Sequence, residues 1–138
     1  MCGSCTIRIN GVPRLSCSTR IENLPKSSMH KPIVLEPLEK FEVIKDLTVD
    51  RSRISSSLTR VKNWVETDDL FGSKVDYVQN VQHEMYSYAK CINCGSCYDA
   101  CPRTSKTESR YMGPSAIAHV VTMNDHPFGK ENSRERLE

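Results

Sequence analysis

The chain has 138 residues, 38% of them hydrophobic and 26% charged, with seven cysteines. That length suits one ordinary domain or two small ones, and so modest an apolar fraction gives a core that needs staples such as metals or disulfides. The net charge of +2 comes with no basic block of the kind that grips a nucleic acid, and the longest apolar stretch, residues 116–121, is far too short to span a membrane.

Met1 leads straight into Cys2-Gly3-Ser4-Cys5, without the charged and apolar regions of a secretory leader. Residues 6–9 then alternate, Asn10-Gly11 is the strongest short turn signal, and residues 12–15 return, so a β-hairpin is predicted over 6–17. Residues 18–31 read as loop or short helix, with a loop at Ser27-Ser28. Residues 32–37 form a short strand bounded by prolines, with residues 41–44 as its extension. Near Asp50 the period changes. Ile54, Leu58, Val61 and Val65 recur at helical spacing behind Asp50 as N-cap, although Ser55, Ser56 and Ser57 weaken the helix. After a loop over 68–73, a second stripe (Val75, Val78, Val81 or Gln82, Met85, Tyr88) runs into Cys91. Gly113-Pro114 opens a third helix with Ile117, Val120 and Val121 on its apolar face. Residues 124–129 form a loop, and a last helical pattern covers 134–138. The class is α+β: a β-rich piece over 1–48 and an all-α piece over 49–138.

The cysteines fall into two tight groups, at 2, 5, 17 and at 91, 94, 97, 101. Seven is odd, and a disulfide framework spreads its cysteines, whereas thiolates that converge on one small object sit two or three residues apart. Cys91-x2-Cys94-x2-Cys97-x3-Cys101-Pro102 is the bacterial ferredoxin run. It predicts an iron–sulfur cluster, with Gly95 free to take a positive φ and turn backbone N–H groups toward the sulfurs. Structural zinc prefers two separated Cys-x2-Cys pairs. The first group matches the last three ligands of the plant-type motif Cys-x4-Cys-x2-Cys…Cys, with the hairpin carrying Cys17. Free or zinc-bound thiols are the alternative for this group. By ligand count, the missing plant-type cysteine is expected five residues before Cys2, and Cys101 needs partners beyond Glu138.

With these residues in view, the chain resembles the iron–sulfur subunits of succinate dehydrogenase and fumarate reductase. The matching stretches are residues 1–5, 9–17, 46–52, the run from Cys91 to Pro102, residues 111–116, and His126-Pro127. The resemblance implies part of a plant-type [2Fe–2S] ferredoxin (β-grasp) piece followed by part of an α-helical ferredoxin piece. It implies that Cys2, Cys5 and Cys17 hold a [2Fe–2S] cluster, that Cys91, Cys94 and Cys97 hold a [4Fe–4S] cluster, and that Cys101 ligates a third centre, usually [3Fe–4S]. It implies an FAD-containing flavoprotein subunit, a cytochrome b-type membrane anchor and a quinone as partners, with no nucleic acid. The place implied is peripheral, on the cytoplasmic side of the membrane. The subunit would carry electrons without itself making bonds, and this stretch alone, with ligands outside it, is expected to be inactive.

Two rivals belong to other classes: the iron–sulfur subunit of a glycolate-oxidase-like or heterodisulfide-reductase-like enzyme, which usually repeats the second run, and a zinc-binding interaction module. The remaining candidates read as structural. His30, His83, His119 and His126 suit packing or surface, Trp64 suits packing between the two pieces, and Arg51 and Arg53 suit a solvated helix start or a docking contact with the flavoprotein. Residues 102–105 follow the third-centre cysteine and read as a loop, near quinone if the resemblance holds.

Overall fold

The alternating segment and its Asn-Gly turn fold as the sequence predicts. In the computed structural model, which describes residues 2–25, 31–65, 79–107 and 110–138, β1 (Thr6–Ile9) and β2 (Val12–Leu15) pair antiparallel, from Thr6 opposite Leu15 to Ile9 opposite Val12. Asn10 and Gly11 both take positive φ, as a two-residue type I′ turn requires. Pro13 is tolerated because β2 is an edge strand in the order β2-β1-β3. β3 (Leu35–Glu36) lies on the other side of β1, with Arg8 opposite Glu36 and Ile9 opposite Leu35. Asn10 fixes that pairing: its backbone N–H donates to Val34 O and its Oδ1 accepts from the Val34 N–H, each at 2.9 Å.

Residues 41–44 do not extend β3. A turn at Glu39 and Lys40 redirects the chain, and β4 (Glu42–Lys45) pairs with β5 (Thr48–Asp50) in a separate two-stranded sheet. α1 (Ser52–Arg60) follows at once. The Asp50 carboxylate accepts from the Ser52 N–H at 2.8 Å and from the Ser52 hydroxyl at 2.9 Å, so it secures the first turn from one residue further back than the sequence suggests. In the serine-rich run Ser57 and Thr59 satisfy their hydroxyls by donating back to Arg53 O and Ser55 O, at 2.9 and 3.1 Å, and the helix is held by Ile54 and Leu58 packing on the core. Lys62 is left-handed (φ 46), so Val65 falls beyond the helix.

α2 (Gln79–Tyr88) ends just before the second cysteine group, where the Cys91 N–H donates to Tyr88 O at 3.3 Å. His30, the loops expected at Ser27-Ser28 and over 68–73, and the stripe positions Val75 and Val78 lie outside the described residues. α3 (Ser96–Ala100) forms inside the cysteine run. α4 (Pro114–Asp125) opens on its proline and buries Ser115, Ala116, Val120 and Thr122, so Ile117 faces outward, 52% exposed. The expected helix over 134–138 is replaced by a 3-10 turn (Lys130–Asn132) and further turns. Arg136 draws this tail inward: its buried guanidinium donates to Lys62 O and Trp64 O at 3.0 Å each, to Asn124 Oδ1 at 3.1 Å, and to Gly129 O. Trp64 is itself 41% exposed, so it does not pack between the two pieces as expected.

One hydrophobic cluster joins Leu38, Phe41, Val49, Ile54 and Tyr98, with Leu58 against it. Its members come from the loop before β4, from β5, from α1 and from α3. The Phe41 and Tyr98 rings meet at 5.6 Å. A second cluster of Val61, Ala116 and Val120, flanked by Met112, ties the end of α1 to α4. Polar contacts dock the β-rich part on α3. The buried Asp99 carboxylate accepts from the Lys40 N–H at 3.0 Å and has Arg8 Nε 3.8 Å away. The Lys40 ammonium donates to Cys101 O and, at 3.3 Å, to Thr104 Oγ1. A buried carboxylate is tolerated only with such partners.

Candidate metal centres

The hairpin assembles the first cysteine group. Cys5 stands immediately before β1 and Cys17 lies in the 3-10 turn Ser16–Ser18 that follows β2. The strand register brings them together, and Ser16 locks the junction by donating to Cys5 O from its N–H (3.1 Å) and its hydroxyl (3.0 Å). The Cys5 and Cys17 sulfurs are 3.1 Å apart. Hydrogen bonds from the Cys17 backbone and thiol lower the Cys5 thiol below its ordinary value, while the bond to Cys5, with burial, raises Cys17. Cys2, on the same exposed loop, is lowered by its hydrogen bonds with Ser4, whose hydroxyl is 3.5 Å from its sulfur. Ligation requires thiolates, and the Ser4 contacts favour one at Cys2.

The second group is built by a left-handed loop and a short helix. Asn93 and Gly95 take positive φ (51 and 85), which coils residues 91–95 around the site before α3 places Cys97 and, at its C-cap, Cys101. Gly95 is required twice over. Its φ lies where side chains strain the backbone, and a Cβ there would lie 3.1 Å from Phe41 Cζ and 3.4 Å from Leu38 Cδ1. Burial raises the Cys94 thiol, but hydrogen bonds from Ser96 and then Thr6 more than offset it. Cys97 is raised by burial and by the neighbouring charges of Cys91 and Cys94, so those three sulfurs share one neighbourhood. The Cys101 sulfur has other partners: the Arg103 backbone amide first, then Thr104, the Tyr111 hydroxyl and the Lys40 charge, and it is lowered. Tyr111 is raised in turn, by burial and by its bond to Cys101.

Several residues that sequence reasoning treated as bland hold these loops. Arg51 is not a solvated helix start: its guanidinium donates to Gly3 O (2.6 Å), Ser4 O (3.2 Å) and Thr6 O (3.4 Å). Arg53 reaches the other way, to Ser105 O (2.5 Å), Lys106 O (3.5 Å) and Thr107 O (3.3 Å), and lies over the Tyr98 ring. Two residues of one helix start thus grip the first cysteine loop and the segment after Cys101. His119 hydrogen-bonds Asn93 Oδ1 through Nε2 at 3.2 Å and is held below its ordinary pKa by burial, so it buttresses the second loop. Nothing local in the sequence marks these contacts, which span tens of residues.

Among the described residues, no three His, Cys, Asp or Glu side chains close on a single metal ion. The donor set of each loop, soft thiols around a left-handed glycine turn, fits the thiolate ligation of an iron–sulfur cluster. Comparison with known proteins agrees. Residues 1–56 match a family described as a 2Fe-2S iron-sulfur cluster binding domain, and residues 85–103 match one described as a 4Fe-4S binding domain. The succinate dehydrogenase iron-sulfur subunit of Bacillus subtilis is 39% identical over 140 aligned residues, covering 100% of this chain and 53% of that protein. The chain belongs to the family of succinate dehydrogenase and fumarate reductase iron–sulfur subunits. Within the family, the fumarate reductase iron-sulfur subunit of Escherichia coli O6:H1 is 28% identical over 99% of this chain and 55% of its own length. The chain spans about half the length of the curated relatives it matches. Among solved structures, a chain of the Mycobacterium smegmatis Sdh1 complex in the apo form superimposes with a TM-score of 0.80 at 26% identity, over 98% of this chain and 58% of that one. The α+β class and the order of a [2Fe–2S] part before a [4Fe–4S] part are therefore those of the family.

Proposed function

We propose that the chain is the electron-carrying part of a succinate-oxidising or fumarate-reducing complex, linking a flavoprotein subunit to a quinone site at a membrane anchor. The observation that carries the reading is the pairing, in one chain of this family, of a hairpin-borne thiol loop with a ferredoxin run packed beside it. In this reading Cys2, Cys5 and Cys17 hold the [2Fe–2S] cluster and Cys91, Cys94 and Cys97 hold the [4Fe–4S] cluster. Cys101, whose sulfur has a separate set of partners, ligates the third centre, [3Fe–4S]. When bound, these groups supply one-electron redox chemistry, at potentials set by hydrogen bonds to sulfur, charge and exposure.

The chain's own residues hold and orient the thiols and catalyse no bond change. Arg51 and Arg53 fix the loops, and the Asp99–Lys40 contact keeps α3 against the β-rich part. The two sequence units, 1–48 and 49–138, would then each contribute a cysteine loop to one shared core. No helix among the described residues is long and apolar enough to cross a membrane, and the reading places the subunit peripherally on the cytoplasmic face through its partners. Anaerobic isolation followed by visible absorption and electron paramagnetic resonance tests it. Sulfide-to-iron charge-transfer bands with signals of both cluster types are expected; a colourless protein carrying zinc overturns it.

A further inference from the structure

Helix α1 has two faces. Ile54, Leu58 and the adjoining Val61 pack into the two cores. Ser52, Ser56 and Arg60, four residues apart, share another face. That face lines a cavity of about 560 Å³ whose far wall is the segment after Cys101, with Lys106 and Arg110 on it. Arg53 ties the two walls together through the carbonyls of residues 105–107. Four cations thus surround one cavity, against a net charge of +2 for the whole chain. Among the described residues no carboxylate lines the cavity, and none forms an ion pair with any of the four. Arg53 spends its donors on neutral carbonyls and its face on the Tyr98 ring, so its charge stays uncompensated. Among the described residues the charged ends of Arg60, Lys106 and Arg110 have no hydrogen-bond partner. The Ser52 hydroxyl is taken by Asp50, outside the lining.

Like charges around one cavity repel, and an anion that enters it removes that cost. Arginine forks match the oxygens of a phosphate. The volume lies in the range of about 300–1,000 Å³ that holds an organic ligand, so a phosphate ester fits the space better than a bare ion. Tyr98 and Met112 supply an apolar wall for its carbon skeleton. The proposed function sets the residues after Cys101 on the quinone side, toward the membrane. We propose that this cavity binds the phosphate of an anionic membrane phospholipid through Arg60, Lys106 and Arg110, and so seats the subunit on the lipid surface. The choice of a lipid as the source of the phosphate ester rests on the reading of the chain as a membrane-peripheral subunit.

The test takes the full chain, isolated anaerobically, and follows its flotation with vesicles. Vesicles of equal parts phosphatidylcholine and phosphatidylglycerol should carry it, and vesicles of phosphatidylcholine alone should not. Soluble glycerophosphate should release it from the mixed vesicles. Arg60→Gln and Arg110→Gln should each weaken binding about fivefold, the weight of one basic residue at an anionic surface, and Arg60→Lys should retain most of the affinity. Lys45→Gln, on the exposed strand β4 and outside the cavity, loses the same charge and should bind as the unsubstituted chain does. Circular dichroism checks folding, and Arg110→Gln, at an exposed position, decides the matter if Arg60→Gln does not fold. Equal losses in Lys45→Gln and Arg110→Gln would reduce the effect to net charge and overturn the proposal, as would equal binding to both kinds of vesicle or to neither. Glycerophosphate binding without vesicle binding overturns the lipid as the ligand. A chain that shows both cluster signals but ignores vesicles sinks this proposal alone. A colourless zinc protein that still floats through Arg60 and Arg110 sinks the electron-carrying reading alone.

Discussion

Arg51 satisfies three carbonyls of the first cysteine loop with one planar fork. Lysine carries the same charge but has no fork with which to reach divergent acceptors. Arg51→Lys should therefore destabilise the protein by about 1–2 kcal/mol, the net worth of hydrogen bonds to a charged group less what the ammonium recovers. Urea unfolding checks the magnitude, and an unchanged midpoint would show that the loop needs no clamp. Gly95 makes a complementary case. Alanine there meets a left-handed φ and the rim of Phe41 together, and the two effects should cost about 2–3 kcal/mol. Thermal unfolding of Gly95→Ala measures this directly. The sequence announces the glycine, because it sits inside a recognisable run. It does not announce the arginine, whose acceptors lie 45 or more positions away and whose neighbours Asp50 and Arg53 make it look like part of a solvated charge cluster.

At the scale of elements, legibility follows how local the cause is. The hairpin and α4 are visible because an Asn-Gly turn and a Gly-Pro start act within two residues. The β4–β5 pairing is not visible: residues 41–44 read as strand, but every residue of β4 is exposed, so no apolar face tells that it turns back on β5 instead of extending β3. α4 misled in its face: its buried side includes Ser115 and Thr122 as well as Ala116, while the larger Ile117 points out. Val120, which the sequence does place on the apolar face, is buried with them, but periodicity counted on large residues alone misses the small ones. The start of α1 offers a pH test. Hydrogen bonds from the Ser52 N–H and hydroxyl hold the Asp50 carboxyl below its ordinary value. A carboxyl depressed in the folded state contributes stability that is present above its unfolded pKa, about 3.9, and is lost as pH falls through the lower folded value. Asp50→Asn should flatten that acid limb and lower the urea midpoint near neutral pH, where the carboxylate's contribution is fully present, so that the two curves converge toward the acid end. Urea midpoints measured from pH 3 to 7 for both proteins decide it, and parallel curves would exclude Asp50 as a contributor.

For the whole molecule, the main core answers whether the β-rich and helical parts are independent. Leu38, Phe41 and Val49 come from the first part or its border, and Ile54 and Tyr98 from the second, yet they form one cluster. Lys40 and Asp99 bridge the same boundary with a buried polar contact. Neither cysteine loop has a core of its own among the described residues: Gly95 rests on Phe41 and Leu38, and Gly3 rests on Cys94. A chain in which each loop is braced by the other part should unfold as one unit. Ile54 is the sharpest probe, because it is 3% exposed and touches this cluster from α1. Ile54→Ala should cost about 2–5 kcal/mol through lost burial and an unfilled cavity. That loss should move together the urea transitions followed by helix circular dichroism and by hydrogen exchange of the β1–β2 amides. Two separated transitions, or a shift in only one of them, would mean that the parts hold their thiol loops independently, and the shared core would then not be what sets the two sites side by side.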